Sequence, residues 1–320
     1  MKLYNEKIKE LEKINVPKTA QPDFDEFWDE VREKIKNANL NIQKNKLENY
    51  PMPGVDVYDL TYEGLDGTPI STWLLLPEKA KTEKVPVVVS YHGYSYYKGE
   101  AISYAKWLLM GVAVIAIDFR LQGGKTGCKS GFDDGFNNYH WITGILNPKK
   151  SYVYHITTDA LLALKLAREI PEIDSEKIAV SGHSQGGGLS FQISALDNSV
   201  ALCIARAPSS SWYEKRIIDQ SGGGNALSQY IRKYPERMEL FLKNLSYFDN
   251  INHTENIKCP VLVGMGMKDP VCTPDTVYAS YNKIKSEKRI INYPFSDHSA
   301  EGEKFEVEAA NFFKEFLLVK

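Results

Sequence analysis

The stretch that decides the fold runs from Lys177 to Ala195 and reads KIAVSGHSQGGGLSFQISA. It opens with a short apolar segment whose β-branched residues Ile178 and Val180 predict a buried strand. Residues 182–186, GHSQG, match the pattern G-x-S-x-G, and a run of small residues typical of a tightly packed helix follows. Strand, tight turn and helix in this order would hold a serine on a strained turn with its hydroxyl exposed. Ser184 is therefore the candidate nucleophile.

The pattern by itself is weak evidence, because it arises by chance in roughly one chain in ten of this length at the usual glycine frequency. Its flanks strengthen it. Gly182 and Gly186 remove Cβ atoms where the backbones of strand and helix come close, and Gly187 and Gly188 carry the same property into the helix. The alternative, a glycine-rich strand–helix turn without chemistry, stays open at this point.

Apolar runs elsewhere in the chain alternate with helical segments. Buried strands are predicted at 86–91, 111–119, 200–207 and 260–264, a last strand at 289–293, and helices at 101–110, 152–168 and 305–318. Buried strands that alternate with helices indicate a mostly parallel sheet with helices on both faces. Alternating residues from Val55, a turn at 63–67 and a return strand at 68–76 predict an antiparallel hairpin at its edge. We therefore predict an α/β fold of the α/β-hydrolase type.

The predicted organisation is a single domain over residues 1–320 with two additions. A helical extension occupies 1–45, where Phe24, Phe27, Trp28, Val31 and Ile35 recur at spacings of three and four and form one apolar face. Asp23 precedes this face and is a candidate helix cap. An insertion over 209–255, polar and aromatic, is predicted to form a cap over the site.

A serine needs a base to become an effective nucleophile, and the chain has six histidines. In this fold the base follows the acid and comes last in chain order. Only His298, in the loop after the final predicted strand, has that position. Asp269, after the strand at 260–264, is the candidate acid that orients the imidazole. Asp275 and Asp297 are its rivals.

Two backbone amides are predicted to form an oxyanion hole. One is the N–H of Gln185, which directly follows the nucleophile, and the other is the N–H of Tyr94 in the loop after the strand at 86–91. Gly93 lets that loop turn close to a substrate. We interpret His92 as an anchor that holds the loop by hydrogen bonds.

Composition excludes several function classes. With 39 basic and 41 acidic residues the net charge is −2, which favours neither nucleic acid nor an anionic membrane as partner, and favours a small neutral ligand. The charged N-terminus does not have the pattern of a signal peptide, and no run of about 18 apolar residues predicts a membrane span. Cys128, Cys203, Cys259 and Cys272 are too sparse for a disulfide framework or metal site, which predicts free thiols and a cytoplasmic protein.

Taken together, these residues resemble the acetyl xylan esterase and cephalosporin C deacetylase family, carbohydrate esterase family 7. Its arginine loop usually reads D-x-R-G-Q-G, and residues 118–123 here read DFRLQG, with Leu121 in place of a glycine. Residues 269–274, DPVCTP, are similar to the family's D-x-x-C-P-P. Two further positions depart from the pattern: His183 replaces a glycine of G-G-S-Q-G, and Ser299 replaces the glutamate that usually follows the histidine.

The resemblance implies hydrolysis of small acyl esters, above all acetyl groups on sugar hydroxyls, with no metal or organic cofactor. It also implies a compact homo-oligomer, often a hexamer, and deacetylation of imported xylo-oligosaccharides. Tyr94 and Trp212 are the predicted substrate-binding residues. The aromatic residues that could line a small acyl pocket, or equally belong to the core or a subunit contact, are Tyr94, Phe132, Phe136, Trp141, Trp212 and Tyr213. A thioesterase, a peptidase or a non-catalytic binding protein on the same fold remains an alternative.

Overall fold

The computed structural model describes residues 1–132 and 139–319, and a nine-stranded sheet forms the centre of these residues. The strands are β1 Gln43–Lys46, β2 Val55–Glu63, β3 Pro69–Pro77, β4 Val85–Tyr91, β5 Ala113–Ile117, β6 Ile173–His183, β7 Val200–Arg206, β8 Val261–Gly266 and β9 Lys288–Tyr293. They are ordered β1-β2-β3-β5-β4-β6-β7-β8-β9. The pairs from β1 to β5 are antiparallel, and all pairs from β5 through β4 to β9 are parallel.

Helices cover both faces of this sheet. They are α1 Lys2–Leu11, α2 Phe24–Asn37, α3 Ala105–Leu109, α4 Tyr152–Glu169, α5 Gln185–Leu196, α6 Tyr213–Asp219, α7 Gly224–Lys233, α8 Met238–Ser246, α9 Asn250–His253, α10 Pro274–Tyr281 and α11 Gly302–Phe313. A π-helical turn over Lys314–Leu318 extends α11. The predicted α/β-hydrolase architecture is confirmed.

The central strands are buried on both faces because each face packs against its own apolar layer. Val87 and Val89 of β4 lie in one buried cluster with residues of α2, α4 and α5. Val88, between them, lies in a second cluster with residues of α3 and α11. Successive side chains of a strand point to opposite faces, so one apolar run supplies both layers. This explains why these strands read as continuous apolar sequence.

Two elements differ from the sequence prediction. The helix predicted at 101–110 begins as a 3₁₀ turn over Ala101–Tyr104 and becomes α3 only afterwards. The extension predicted as helical over 1–45 ends in strand β1, whose residues QKNK are exposed and have no apolar alternation. Backbone hydrogen bonds to β2 at the sheet edge form this strand, and such bonds leave no signal in side-chain chemistry.

Helix α2 packs its predicted apolar face against the chain just before α9. The ring of Phe27 stacks on Tyr247 with centroids 4.4 Å apart, and Trp28 meets Phe248 edge-on at 5.8 Å. Asp23 stands at the N-cap position but makes no capping hydrogen bond, and its carboxylate accepts one from the Tyr247 hydroxyl instead. The extension therefore supports the end of the 209–255 insertion.

The carboxyl ends of the parallel strands meet at one edge of the sheet. Loops that leave β4, β6, β8 and β9 at this edge carry Tyr94, Ser184, Asp269 and His298 respectively. Ligand sites of open α/β sheets lie at this edge. Among the described residues, no helix combines the length and apolar character that crossing a bilayer requires.

Candidate active site

The turn at Ser184 is strained in the way that the sequence predicts. Its backbone has φ 57° and ψ −114°, a conformation that a non-glycine residue rarely adopts. The Ser184 N–H donates to the carbonyl of Arg206, 2.9 Å away, which ties the turn to β7. A Cβ on Gly186 would stand 1.9 Å from the carbonyl oxygen of Tyr91, and one on Gly182 would stand 2.3 Å from the backbone of Gly186. Only glycine fits at these two positions.

The structure brings the three predicted catalytic side chains together. The Nε2 atom of His298 lies 2.9 Å from the Oγ atom of Ser184, and its Nδ1 atom lies 2.7 Å from Oδ2 of Asp269. These are hydrogen-bond distances between nucleophile and base and between base and acid. The Asp269 carboxylate is fully buried, whereas the imidazole is about a quarter exposed. This geometry allows His298 to accept the serine proton.

Backbone amides fix the acid. The second carboxylate oxygen of Asp269 accepts hydrogen bonds from the N–H groups of Val271 at 2.7 Å and Cys272 at 2.9 Å. The two alternative candidates for the acid bind other groups. Asp275 pairs with Lys215, and Asp297 accepts a hydrogen bond from the amide of Ser299 at the surface. The position of Asp269 therefore depends on a buried turn, and its free oxygen points at the base.

His183, which replaces a glycine in the turn over residues 182–186, here called the elbow, contacts His298, the predicted base. Its Nε2–H donates to the backbone carbonyl of His298 across 2.8 Å, and the two ring centroids are 4.8 Å apart. Burial lowers the pKa of His183 to about 4, so its ring is neutral near pH 7. The side chain thus bridges the turn of the nucleophile and the loop of the base.

We expect His183→Gly, which restores the common family residue, to lower kcat on p-nitrophenyl acetate about fivefold with little change in KM. A single hydrogen bond is worth about 1 kcal/mol, and here it positions the base rather than the substrate. His183→Asn, whose amide can donate to the same carbonyl, should recover part of the loss. Steady-state kinetics of both variants check this, and a wild-type kcat in His183→Gly would contradict it.

The two predicted oxyanion-hole amides flank the nucleophile. Gln185 is the first residue of α5, where N–H groups have no partner inside the helix. A Cβ on Gly93 would be 3.8 Å from Cβ of Ser184, so the loop that carries Tyr94 passes beside the serine. Within the described parts of the chain, neither amide donates to another backbone group. Both are free to bind a developing oxyanion, which is the role that we propose for them.

Hydrogen bonds hold the loop after β4 in place. The Nδ1–H of His92 donates to the carbonyl of Gly93 at 2.7 Å, and its Nε2 accepts from the Phe119 N–H at 2.9 Å. The interpretation of His92 as an anchor is confirmed. The carbonyl of the Gln122 side chain accepts from the N–H of Ser95 at 2.8 Å, and its amide donates to the side chain of Gln185 at 3.0 Å. Gln122 therefore links the two sides of the oxyanion hole.

A cavity of about 370 Å³ opens beside Ser184. Residues of the 209–255 insertion form much of its wall, and the full lining is Tyr94, Tyr139, Trp141, Ser184, Gln185, Ser209, Ser210, Tyr213, Arg216, Gly222, Gly223, Asn225, Ala226, Leu227 and Val271. The indole N–H of Trp141 donates to the Tyr213 hydroxyl at 2.6 Å, which connects the insertion to the part of the cavity wall that precedes α4. The nucleophile thus lies in a confined, mostly aromatic and polar space.

Comparison with known proteins decides the family. A sequence model of the acetyl xylan esterase family, AXE1, matches residues 1–316. The chain belongs to this family. It is 25% identical over 295 residues to the acetyl esterase Axe7A of Xylanibacter ruminicola, a match that covers 88% of this chain and 64% of that longer protein. The chain therefore spans less than two thirds of this curated relative.

Solved structures of two family members agree closely with the fold. An acetyl xylan esterase from Paenibacillus sp. R4 is 33% identical, with a TM-score of 0.91 over 97% of this chain and 99% of the other. Acetyl xylan esterase 1 from Thermoanaerobacterium sp. JW/SL YS485 is 29% identical, with a TM-score of 0.90 over 97% and 98%. The resemblance read from the elbow, the arginine loop and the acid segment is confirmed.

The arginine of the family's loop is structural in this chain. Arg120 is completely buried and forms paired hydrogen bonds to the carboxylates of Asp159 and Asp66 at 2.6–2.9 Å. Partial burial opposes ionisation of Asp66, but hydrogen bonds from Arg120 and Ser130 outweigh it and hold the pKa of that carboxyl well below its usual range. Leu121, which replaces a glycine, has φ 55°, a left-handed conformation that glycine adopts more easily. The anchored arginine holds the chain in that shape.

The predicted aromatic residues divide into two groups. Tyr94 lies in the cavity wall as expected. Trp212 is not part of this wall. It packs beside the small buried cluster of Val16, Ile251 and Ala279, which corrects the prediction that it contacts substrate. The backbone N–H groups of Trp212 and Tyr213 both bind Asp249, and this turn directs Tyr213 to the cavity instead.

Phe132 packs beside His155, at 6.1 Å between ring centroids, and Phe136 lies outside the described residues. The sequence interpretation missed other residues of the wall, above all Tyr139, Arg216 and the segment 222–225. Three consecutive glycines at 222–224 were the available signal. Their meaning depends on the packing of α6 against α7, which local sequence does not specify.

Donor atoms of Asp269, Cys272 and His298 all lie within 4.8 Å of one another, a spacing that can suit a metal ion. Both ring nitrogens of His298 are already engaged, one by Asp269 and one by Ser184. Burial also raises the pKa of the Cys272 thiol to about 11, so this ligand resists the loss of its proton. We therefore assign the group to the catalytic triad and not to a metal centre.

Acid should destabilise the fold between pH 6.5 and 4. Burial lowers the pKa of His155, His183 and His253 from 6.5 to about 4 each, so the unfolded chain binds three more protons in this window and stability is lost as pH falls. Burial of Asp249 raises its pKa to about 6, which offsets one of them. Urea unfolding should give a loss of at most about 3 kcal/mol per pH unit near pH 5. Equal stability at pH 7 and 5 would contradict this.

Proposed function

We propose that the protein is a serine esterase that removes acetyl groups from acetylated xylo-oligosaccharides and other small, cephalosporin C-like acetyl esters. The observation that carries the proposal is the continuous set of hydrogen bonds from Ser184 through His298 to Asp269 at 2.9 and 2.7 Å. Membership of the acetyl xylan esterase family supports acetyl as the acyl group that is transferred to Ser184.

The first half of the proposed reaction forms an acyl-enzyme. His298 takes the proton of Ser184 as the hydroxyl oxygen attacks the acetyl carbonyl carbon. The N–H groups of Tyr94 and Gln185 bind the oxyanion that develops. Each such donor typically lowers the activation barrier by about 3–4 kcal/mol. The buried carboxylate of Asp269 stabilises the imidazolium. His298 then gives the proton to the sugar oxygen, which leaves as the alcohol.

The second half releases acetate. A water molecule gives a proton to His298 and attacks the acetyl carbonyl carbon, and the same two amides bind the second oxyanion. Collapse of this intermediate breaks the bond to Ser184 Oγ, which recovers its proton from His298. Apart from the ester and this water, every group that takes part in the proposed steps belongs to the chain.

We propose that the 209–255 insertion acts as the cap of this site and limits the acyl group. Acyl chain and alcohol share a cavity of about 370 Å³. We expect kcat/KM on p-nitrophenyl esters to fall about tenfold or more from acetate to octanoate, since a chain that does not fit loses its transition-state contacts. The common leaving group is the control. Equal values across the series would contradict a small acyl pocket.

Substrate class is tested by comparing three kinds of acyl bond. Acetylated xylo-oligosaccharide, a dipeptide amide and an acyl thioester should be assayed side by side with the same enzyme preparation. We expect release of acetate from the sugar ester to exceed turnover of the amide and the thioester. Faster turnover of either of these would favour a peptidase or a thioesterase on the same fold.

We further propose a cytoplasmic homo-oligomer, a hexamer by family resemblance. All four cysteines are free thiols, three of them buried, which suits a reducing compartment. Light scattering on the purified protein and fractionation of the source cells test these two statements separately. A monomer in solution, or activity confined to the medium, would contradict the respective statement.

A further inference from the structure

Arg216 is a buried cation in the wall of the cavity that contains Ser184. It lies on α6, is 4% exposed, and lines the cavity together with Tyr94 and Tyr213. Its side-chain hydrogen bond is a weak one, from Nη1 to the Sγ atom of Cys272 at 3.8 Å. Over residues 1–132 and 139–319, no carboxylate lies within ion-pair distance of its guanidinium.

No acidic group of the described residues forms a direct ion pair with this charge. Asp249 interacts with Arg216 through space, but its two oxygens already accept the N–H groups of Trp212, Tyr213 and Ile251. Burial raises the pKa of the Cys272 thiol to about 11, so it is uncharged at neutral pH. An arginine in a protein does not lose its proton. The guanidinium therefore keeps a positive charge without a protein counter-ion in the described residues.

Gly222 and Cys272 lie directly beside the guanidinium of Arg216. Gly222 has φ 51°, and a Cβ there would stand 2.9 Å from Nη2 of Arg216. The Sγ atom of Cys272 lies 3.8 Å from Nη1 of Arg216 and within 4.8 Å of donor atoms of Asp269 and His298, so it is close to both the guanidinium and the proposed acid and base. An anion bound to Arg216 would thus occupy the same cavity as an ester bound at Ser184, separated from it by about one side chain.

A buried charge is costly unless a partner of opposite charge or strong hydrogen-bond acceptors meet it. The planar fork of a guanidinium matches a carboxylate through two parallel hydrogen bonds. The other polar groups of the wall, such as Tyr94 and Asn225, are neutral and do not select for charge. Arg216 is therefore the part of the cavity that distinguishes an acidic ligand from a neutral one.

We propose that Arg216 binds a carboxylate of the substrate, so that the preferred substrates are acetyl esters whose alcohol part carries an acid group, such as an acetylated acidic sugar. This deepens the proposed esterase function and rests on it. The carboxylate forms the ion pair that Arg216 makes with no carboxylate of residues 1–132 and 139–319, and it orients the ester carbonyl toward Ser184 and the two oxyanion-hole amides.

The test compares two aryl acetates that differ in charge, 4-acetoxybenzoate and 4-acetoxybenzamide. The ratio of their kcat/KM values is measured in the wild type, in Arg216→Met and in Arg216→Lys. Bidentate charge-assisted hydrogen bonds predict that the ratio falls about tenfold to hundredfold in Arg216→Met and less in Arg216→Lys. Lys215→Met is the matched control: it removes the same charge one residue away, from a side chain that pairs with Asp219 and Asp275 outside the cavity.

A ratio that is the same in wild type and Arg216→Met would overturn the proposal, and so would an equal fall in Lys215→Met. If Arg216→Met does not fold, competitive inhibition of the wild type decides. Benzoate should inhibit hydrolysis of p-nitrophenyl acetate at lower concentration than benzamide, and equal inhibition would overturn the proposal. If the wild type hydrolyses no acetyl ester, the proposed function fails, while calorimetric titration with benzoate still tests the anion site.

Discussion

Replacing Ser184 with alanine is expected to lower kcat on p-nitrophenyl acetate by about 10⁴- to 10⁶-fold, as in serine hydrolases whose nucleophile is removed. The acyl-enzyme cannot form without Oγ, and the remaining rate would come from the oxyanion hole and from binding alone. A burst of p-nitrophenol, if the wild type shows one, should be absent. The fluorophosphonate probe that labels the wild type should not label the variant.

Ser190→Ala is the matched control for this change. Ser190 lies on the same helix α5 and donates to the carbonyl of Gly186 at 2.8 Å, away from the cavity wall. The Ser190→Ala variant loses the same kind of hydroxyl group within two helical turns of the elbow, and its kcat should stay within a few-fold of the wild type. Near wild-type activity in Ser184→Ala would refute the assignment of the nucleophile and, with it, the proposed function.

The second large effect is expected for Asp269→Asn, which should lower kcat by about 10⁴-fold while leaving KM similar. The amides of Val271 and Cys272 donate to one oxygen of Asp269. In the variant they would hold the amide oxygen of asparagine, and its NH₂ group would then face Nδ1 of His298. That ring would need its proton on Nε2, where it could no longer accept the proton of Ser184.

Two isosteric controls separate the acid from its rivals. Asp275→Asn and Asp297→Asn remove the same charge from the carboxylates that sequence alone had left as alternatives. Asp275 pairs with Lys215, and Asp297 is bonded to the amide of Ser299, so neither reaches the base. Both variants should keep kcat within about threefold of the wild type. A loss of activity in either one that matches the loss in Asp269→Asn would show that the acid has been misassigned.

The triad was predictable because its order in the chain follows from the topology. In a parallel sheet, loops at the carboxyl edge alternate with helices, so the nucleophile follows one strand, and the acid and then the base follow later ones. Ser184 and Asp269 follow runs of buried apolar residues that sequence marks as strands, and His298 follows the partly buried strand β9. Likewise, the close approach of β6 and α5 had to be built from glycine at 182 and 186.

The cavity wall was not predictable in the same way. Trp212 and Tyr213 are adjacent, yet only Tyr213 reaches the cavity, because Asp249 binds both of their amides and fixes the turn between them. That contact joins residues 36 and 37 positions apart in the chain. The contact of His183 with His298 spans 115 positions and follows only from the folded elbow. Sequence marks these residues as unusual without giving them a partner.

By itself, then, the sequence determined the α/β architecture and the family, and it selected the three residues that we propose as the triad. Each depends on patterns that are local along the chain: apolar periodicity, a glycine-framed turn, and the order of polar residues after strands. Tertiary structure alone decided what surrounds the nucleophile. It placed Arg216 as a buried charge in the wall of the cavity that contains Ser184, because the surroundings of a charged side chain on a short helix depend on which distant residues pack around it and on whether any of them forms an ion pair with it.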